Sequence, residues 1–146
     1  MDSWFADYRF SVREGAGDFT LSAGLEARAG RTGHTDESLC FRLVDEAGRV
    51  FFYSGDTDYN EALVPFAEGA DIAVIECSMP DDAKRDGHLT PALAARIGRL
   101  AGVRKLVLTH FYREVTAVDI LSRARDVFPG PVLLAEDGMR IAFDEE

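Results

Sequence analysis

Apolar and polar positions alternate singly from about Tyr8 to Arg28, with Phe19, Leu21, Ala23 and Leu25 on one side and Thr20, Ser22, Gly24 and Glu26 on the other. That period predicts half-buried β-strands. A polar loop, AGRTGHTDES, comes next. Residues 39–54 then read as a hairpin: LCFRLV, a turn at DEAG in which Gly48 takes positive φ, and RVFFYS. Beyond residue 60 the rhythm changes. A short helix is expected over 61–68, confined by Pro65, which lacks a backbone donor, and closed at Gly69. ADIAVIEC is a near-continuous apolar run of the kind buried on both faces of a sheet. Thr90 offers an N-cap with Pro91 in the first helical position, and Leu93, Ile97, Leu100 and Ala101 share one helical face up to Gly102. KLVLTHF is a second buried strand. Thr116 is the expected cap of a helix that turns Ala117, Ile120, Leu121, Ala124 and Phe128 inward, and PVLLAED with MRIAF completes the sheet.

Strand 71–76, helix 90–101 and strand 105–109 make a β-α-β unit, whose two strands run parallel by the handedness of such crossovers. Their carboxyl ends therefore share one edge of the sheet, the edge where ligands bind in open α/β folds. Glu76 closes one strand and His110 the other. Asp56 joins them if the strand ending in YSGDT reaches the same rim.

Composition narrows the class. With 146 residues, 47% of them hydrophobic, and no linker or low-complexity tract, residues 1–146 are expected to form a single α/β domain. A net charge of −10 with dispersed basic residues disfavours non-specific nucleic-acid binding without excluding a local site. The two cysteines, Cys40 and Cys77, lie in apolar runs without C-x-x-C spacing, which fits a reducing cytoplasm better than a disulfide scaffold. MDSWFADYRF lacks the basic and apolar regions of an export signal, and no run of about 18 apolar residues occurs. A cytoplasmic protein with no membrane span is expected.

The chain has three histidines, His34, His88 and His110, each in a loop or at a strand end: TGHTDES, RDGHLTP and LTHFYRE. Imidazoles and carboxylates on one rim suit a divalent, zinc-like ion. Taken singly, a loop histidine reads first as a solvated or capping side chain, and Asp56 equally as a turn former. Glu76 reads as an anchoring hydrogen-bond acceptor. Tyr112 and Arg113 either contact substrate or belong to a solvated loop, and Cys77 is a small buried hydrophobe.

Taken in order, HTDESLCFRL, FFYSGDTDYNEALVPFAEGADIAVIECS, GHLTP and VRKLVLTHFY resemble the successive C-terminal motifs of the metallo-β-lactamase superfamily, in its ribonuclease Z-like and phosphodiesterase-like branch. The similarity runs from about residue 20 to the C-terminus. It implies that His34 is a metal ligand, that Asp56 bridges two metals, and that His110 ligates the second. By the same resemblance His88 is a non-ligand catalytic residue acting at the phosphate or leaving group, beside Asp56. The family's His-x-His-x-Asp-His signature is absent, and three histidines cannot supply it.

The implied fold is the C-terminal half of an αβ/βα sandwich, a mixed β-sheet with about three helices and one sheet face left open. The implied activity is zinc- or manganese-dependent phosphodiester hydrolysis at a dinuclear site, with metal weakly held or absent in this chain alone. Small phosphodiesters stand beside RNA as substrates. The implied partner is a separate N-terminal half or a second copy of the chain, as a homo-oligomer. Two alternatives remain: a non-catalytic oligomerising module of the same fold, and an unrelated α/β domain with accidental motif matches.

Overall fold

The computed structural model describes residues 15–21 and 24–143. The alternation expected at positions 8–14 and at Ser22 and Ala23 lies outside the described residues. The described residues form one seven-stranded sheet in which spatial order equals chain order. β1 (Gly17–Leu21), β2 (Leu25–Arg31), β3 (Leu39–Val44) and β4 (Val50–Tyr53) pair antiparallel. β5 (Ile72–Glu76), β6 (Lys105–Thr109) and β7 (Val132–Leu134) then continue parallel to β4. The alternating part of the sequence thus became hairpins, and the continuous apolar runs became the parallel strands.

The turn between β3 and β4 forms as its residues demand. Gly48 sits at φ 77°, and the Asp45 carboxylate accepts the backbone N–H groups of Ala47 and Arg49. Asn60 caps a 3₁₀ turn at Glu61–Leu63 that leads into α1 (Val64–Ala67). α2 (Pro91–Leu100) starts at its expected cap, with Thr90 Oγ1 accepting from Leu93 N. Its inward face is rotated from the expected one: Ala94, Ile97, Gly98 and Ala101 are buried, whereas Leu100 is 47% exposed. Small residues win that face because α2 lies close to β6. A Cβ on Gly98 would stand 3.3 Å from Val103 and 3.6 Å from Leu106.

Two further expectations are corrected. Residues Val115–Ala117 form a 3₁₀ turn, and α3 (Ile120–Arg125) begins after it, capped by Asp119 rather than Thr116. MRIAF is no strand. A turn closes between Glu136 and Met139, and the segment's contacts include Lys105 Nζ on the Ala142 carbonyl and Arg49 over the Phe143 ring.

The three α-helices of the described residues pack on one sheet face, in a core with Phe52, Ala73, Ile75, Leu106, Leu108 and Val132. Cys40 and Cys77 are free thiols inside this core. Desolvation, with the nearby Asp81 and Glu76 charges adding, pushes the Cys77 thiol up to about 12, so it behaves as a buried hydrophobe. Among the described residues no helix is long and apolar enough to cross a membrane.

Candidate functional site

β4, β5 and β6 are parallel neighbours, so their carboxyl ends meet on one rim, and Asp56 does reach it. Gly55 makes this possible. It sits at φ 57°, and a Cβ there would stand 2.5 Å from the Leu39 carbonyl oxygen, so the chain turns off the strand only with glycine.

Two loops are stitched to that turn. Thr32 Oγ1 donates to the Asp56 carbonyl at 2.7 Å, and Gly33 N–H donates to Thr57 Oγ1 at 3.2 Å, which brings the His34 loop alongside. The Asp58 carboxylate accepts from Tyr59 N–H and Gly87 N–H and meets Lys84 Nζ at 2.8 Å, which ties down the His88 loop. Burial pushes the Asp58 carboxyl up, but Lys84 and the two N–H groups outweigh it and hold the group below its ordinary range. Asp58 is a site-building residue that sequence reasoning missed. Its partners lie up to 29 positions away, and its only local signal was its place in Gly-Asp-Thr-Asp.

Glu76 is the organising group at the centre. It is 1% exposed, and its oxygens accept from Thr57 N–H, His88 Nδ1, Ser78 Oγ and Leu89 N–H at 2.7 to 3.1 Å. A carboxylate has about four acceptor positions, and all are taken. Glu76 therefore anchors the rim and has no oxygen left for a metal.

The three histidines form a row. Ring centroids are 4.9 Å apart from His34 to His88 and 5.8 Å from His88 to His110. His34 Nδ1 donates to the Gly87 carbonyl at 2.9 Å; a carbonyl only accepts, so the proton sits on Nδ1, and in the neutral ring Nε2 keeps its lone pair. Gly87, at φ 84°, permits this approach, since a Cβ would lie 2.9 Å from that nitrogen. The carboxylate of Glu76 fixes the same tautomer in His88, which is 8% exposed.

His110 is held in the left-handed region at φ 61°, unusual for a residue other than glycine, immediately after β6. Its Nε2 points to Asp56 Oδ2 at 3.5 Å, near enough for a charge contact but not aligned as a hydrogen bond. That nitrogen is buried without a hydrogen-bond partner. The Asp56 side chain, 38% exposed, has this contact and no hydrogen bond among the described residues. Tyr112 packs against both His88 and His110, while Arg113 is exposed and its carbonyl accepts from Thr116 Oγ1.

In kind, His34, Asp56 and His110 fit a divalent transition-metal ion, and the Nε2 of His110 is left without a hydrogen-bond partner. In number they fall short. Among the described residues no group of three or more His, Cys, Asp or Glu is arranged to hold a metal.

Comparison with known proteins bears on what this rim belongs to. The model of a β-lactamase superfamily domain matches residues 5–111. An uncharacterised protein of Mycobacterium tuberculosis strain H37Rv is 38% identical over 101 residues, covering 68% of this chain and 37% of that protein. A ribonuclease Z of Haloarcula marismortui is 39% identical over 106 residues, covering 67% of this chain and 34% of the enzyme. The crystal structure of the metallo-β-lactamase fold protein YhfI from Bacillus subtilis superposes with a TM-score of 0.78 at 27% identity, covering 84% of this chain and 51% of that one. The chain thus spans about a third of the length of the curated relatives it matches, 37% and 34% of these two.

Proposed function

The chain belongs to the metallo-β-lactamase superfamily and is ribonuclease Z-like, and from that premise we propose that it is the C-terminal portion of a hydrolase that cleaves phosphodiesters at a dinuclear metal site. The observation that carries this reading is the buried, unpartnered His110 Nε2 facing the Asp56 carboxylate at 3.5 Å, on a rim shared with two more imidazoles. Membership in the superfamily implies metal dependence in general, and the nitrogen and carboxylate donors favour zinc, with manganese second.

His34, Asp56 and His110 would hold the metals. When bound, such ions supply Lewis acidity toward water and toward the phosphoryl oxygen. The chain's own part is positioning. His88, fixed by Glu76, presents Nε2 where it can take up or return a proton at the reacting oxygens. Tyr112 borders that space, and Arg113 is free to meet an anionic substrate from solvent.

The remaining donors would come from a His-x-His-x-Asp-His segment outside this chain, on a separate N-terminal half or through association of copies. On this reading the chain alone holds metal weakly and turns over little. The charge of −10 favours a small phosphodiester over a long RNA.

Metal analysis after zinc or manganese loading, combined with hydrolysis of bis(p-nitrophenyl) phosphate, tests this. Asp56→Ala is expected to abolish what metal the chain retains. A stoichiometric metal unchanged by that substitution sinks the ligand assignment, and full turnover by the chain alone sinks its incompleteness.

A further inference from the structure

His88 is tethered at both ring nitrogens. Nδ1 meets Glu76 Oε1 at 3.1 Å, and Nε2 faces the Tyr112 hydroxyl at 3.4 Å. In the neutral ring, with the Nδ1 proton given to Glu76, Nε2 is an acceptor and the phenol is the donor in the second bond. The Tyr112 ring also packs against two of the three imidazoles of the rim, with centroids 5.1 Å from His88 and 5.2 Å from His110 and tilts of 58° and 59°. An imidazole held at one nitrogen still rocks about that bond, since the torsion at its ring is broad. A second tether at the far nitrogen removes that freedom.

We propose that Tyr112 is the positioning residue of His88: its hydroxyl fixes the angle at which Nε2 faces the Asp56 and His110 edge, and it marks the place of a proton-bearing substrate oxygen. The proposal rests on the reading of His88 as the catalytic imidazole. The 3.4 Å separation is long beside the bonds to Glu76, so this is the tether that an incoming hydroxyl or water displaces. Glu76, saturated and buried, stays in place throughout. Tyr112 thus holds the ring ready in the free site and yields its position when substrate arrives.

The test is Tyr112→Phe, which keeps the ring packing and removes only the donor. In ¹⁵N-labelled, metal-free chain, long-range proton–nitrogen spectra are expected to show the His88 Nε2 resonance moving downfield, as an acceptor nitrogen does on losing its donor. The His88 Nδ1–H signal and both His34 ring nitrogens should stay where they were. An unmoved His88 Nε2 overturns the proposal. The spectra need neither metal nor turnover, so they can fail while Asp56→Ala still abolishes metal retention, and the reverse holds equally.

Discussion

Glu76 decides more of this site than any histidine does. Its carboxylate accepts from two backbone N–H groups, a hydroxyl and an imidazole, and so fixes the turn after β4, the segment after β5 and the His88 ring together. Glu76→Gln puts an NH₂ where two of those donors point, and stranding them in a buried place is expected to cost about 3 kcal/mol in urea-induced unfolding. Gly55 is as exacting for a different reason. Gly55→Ala forces a side chain into the left-handed region, at about 1–2 kcal/mol before its contact with the Leu39 carbonyl is counted. Thermal unfolding should show a lowered midpoint, and an unchanged one would mean that the turn relaxes freely. Asp56 and His110 were legible in the sequence because each puts polar chemistry just past the end of an apolar run. Asp58 was not, since its value lies in Gly87 and Lys84, which only folding brings near.

Helices and strands were easier to find than to delimit. Thr116 looks like a helix cap, but its hydroxyl donates to the Arg113 carbonyl in a local turn, while Asp119 accepts from Ser122 N–H and starts α3. Asp119→Ala is therefore expected to destabilise the protein by about 1 kcal/mol and Thr116→Ala by far less, as paired melting curves would show. Equal losses would return the cap to Thr116. The face of α2 was misjudged because hydrophobic spacing gives large side chains the most weight. Here Ala94, Gly98 and Ala101 let the helix settle close to the sheet and leave Leu100 at the surface. MRIAF alternates well enough for a strand, yet pairing needs a neighbouring backbone, and its N–H and C=O groups do not extend the sheet at β7.

The molecule's acid sensitivity and its surface follow from how these elements meet. Asp71 joins the starts of three parallel strands: its carboxylate accepts from Val50 N–H at 2.8 Å and from Arg104 at 3.1 Å. The Val50 N–H first, and then Arg104 against the opposing effect of burial, hold this carboxyl below its ordinary range. A depressed folded pKa stabilises fully above the ordinary aspartate range, near 4, and that contribution is lost as pH falls through the lower folded value. Asp71→Ala is expected to cost about 2 kcal/mol at neutral pH and to flatten the acid limb of the stability profile, read by urea unfolding from neutral pH downward. An acid limb unchanged by the substitution would move that role elsewhere.

The sheet face away from the helices carries Phe41, Leu43, Phe51, Val74 and Leu133, half-buried, with Tyr53 40% exposed. Phe143 lines one groove there, beside Leu25, Leu43 and Phe51. On the proposed reading this face takes a partner half or a second copy. Light scattering is expected to show association rising with concentration, and a monomer at every concentration would count against it.

The β3–β4 hairpin, the parallel unit and the chemistry at the strand ends were written in the sequence, because they follow from periodicity and from which polar residues end apolar runs. How the three imidazoles line up, which nitrogen of each is free, and why His110 Nε2 lies buried opposite Asp56 came only with folding. Those properties belong to hydrogen bonds spanning 12 to 53 positions, such as His88 to Glu76 and His34 to the Gly87 carbonyl, and no local pattern encodes them.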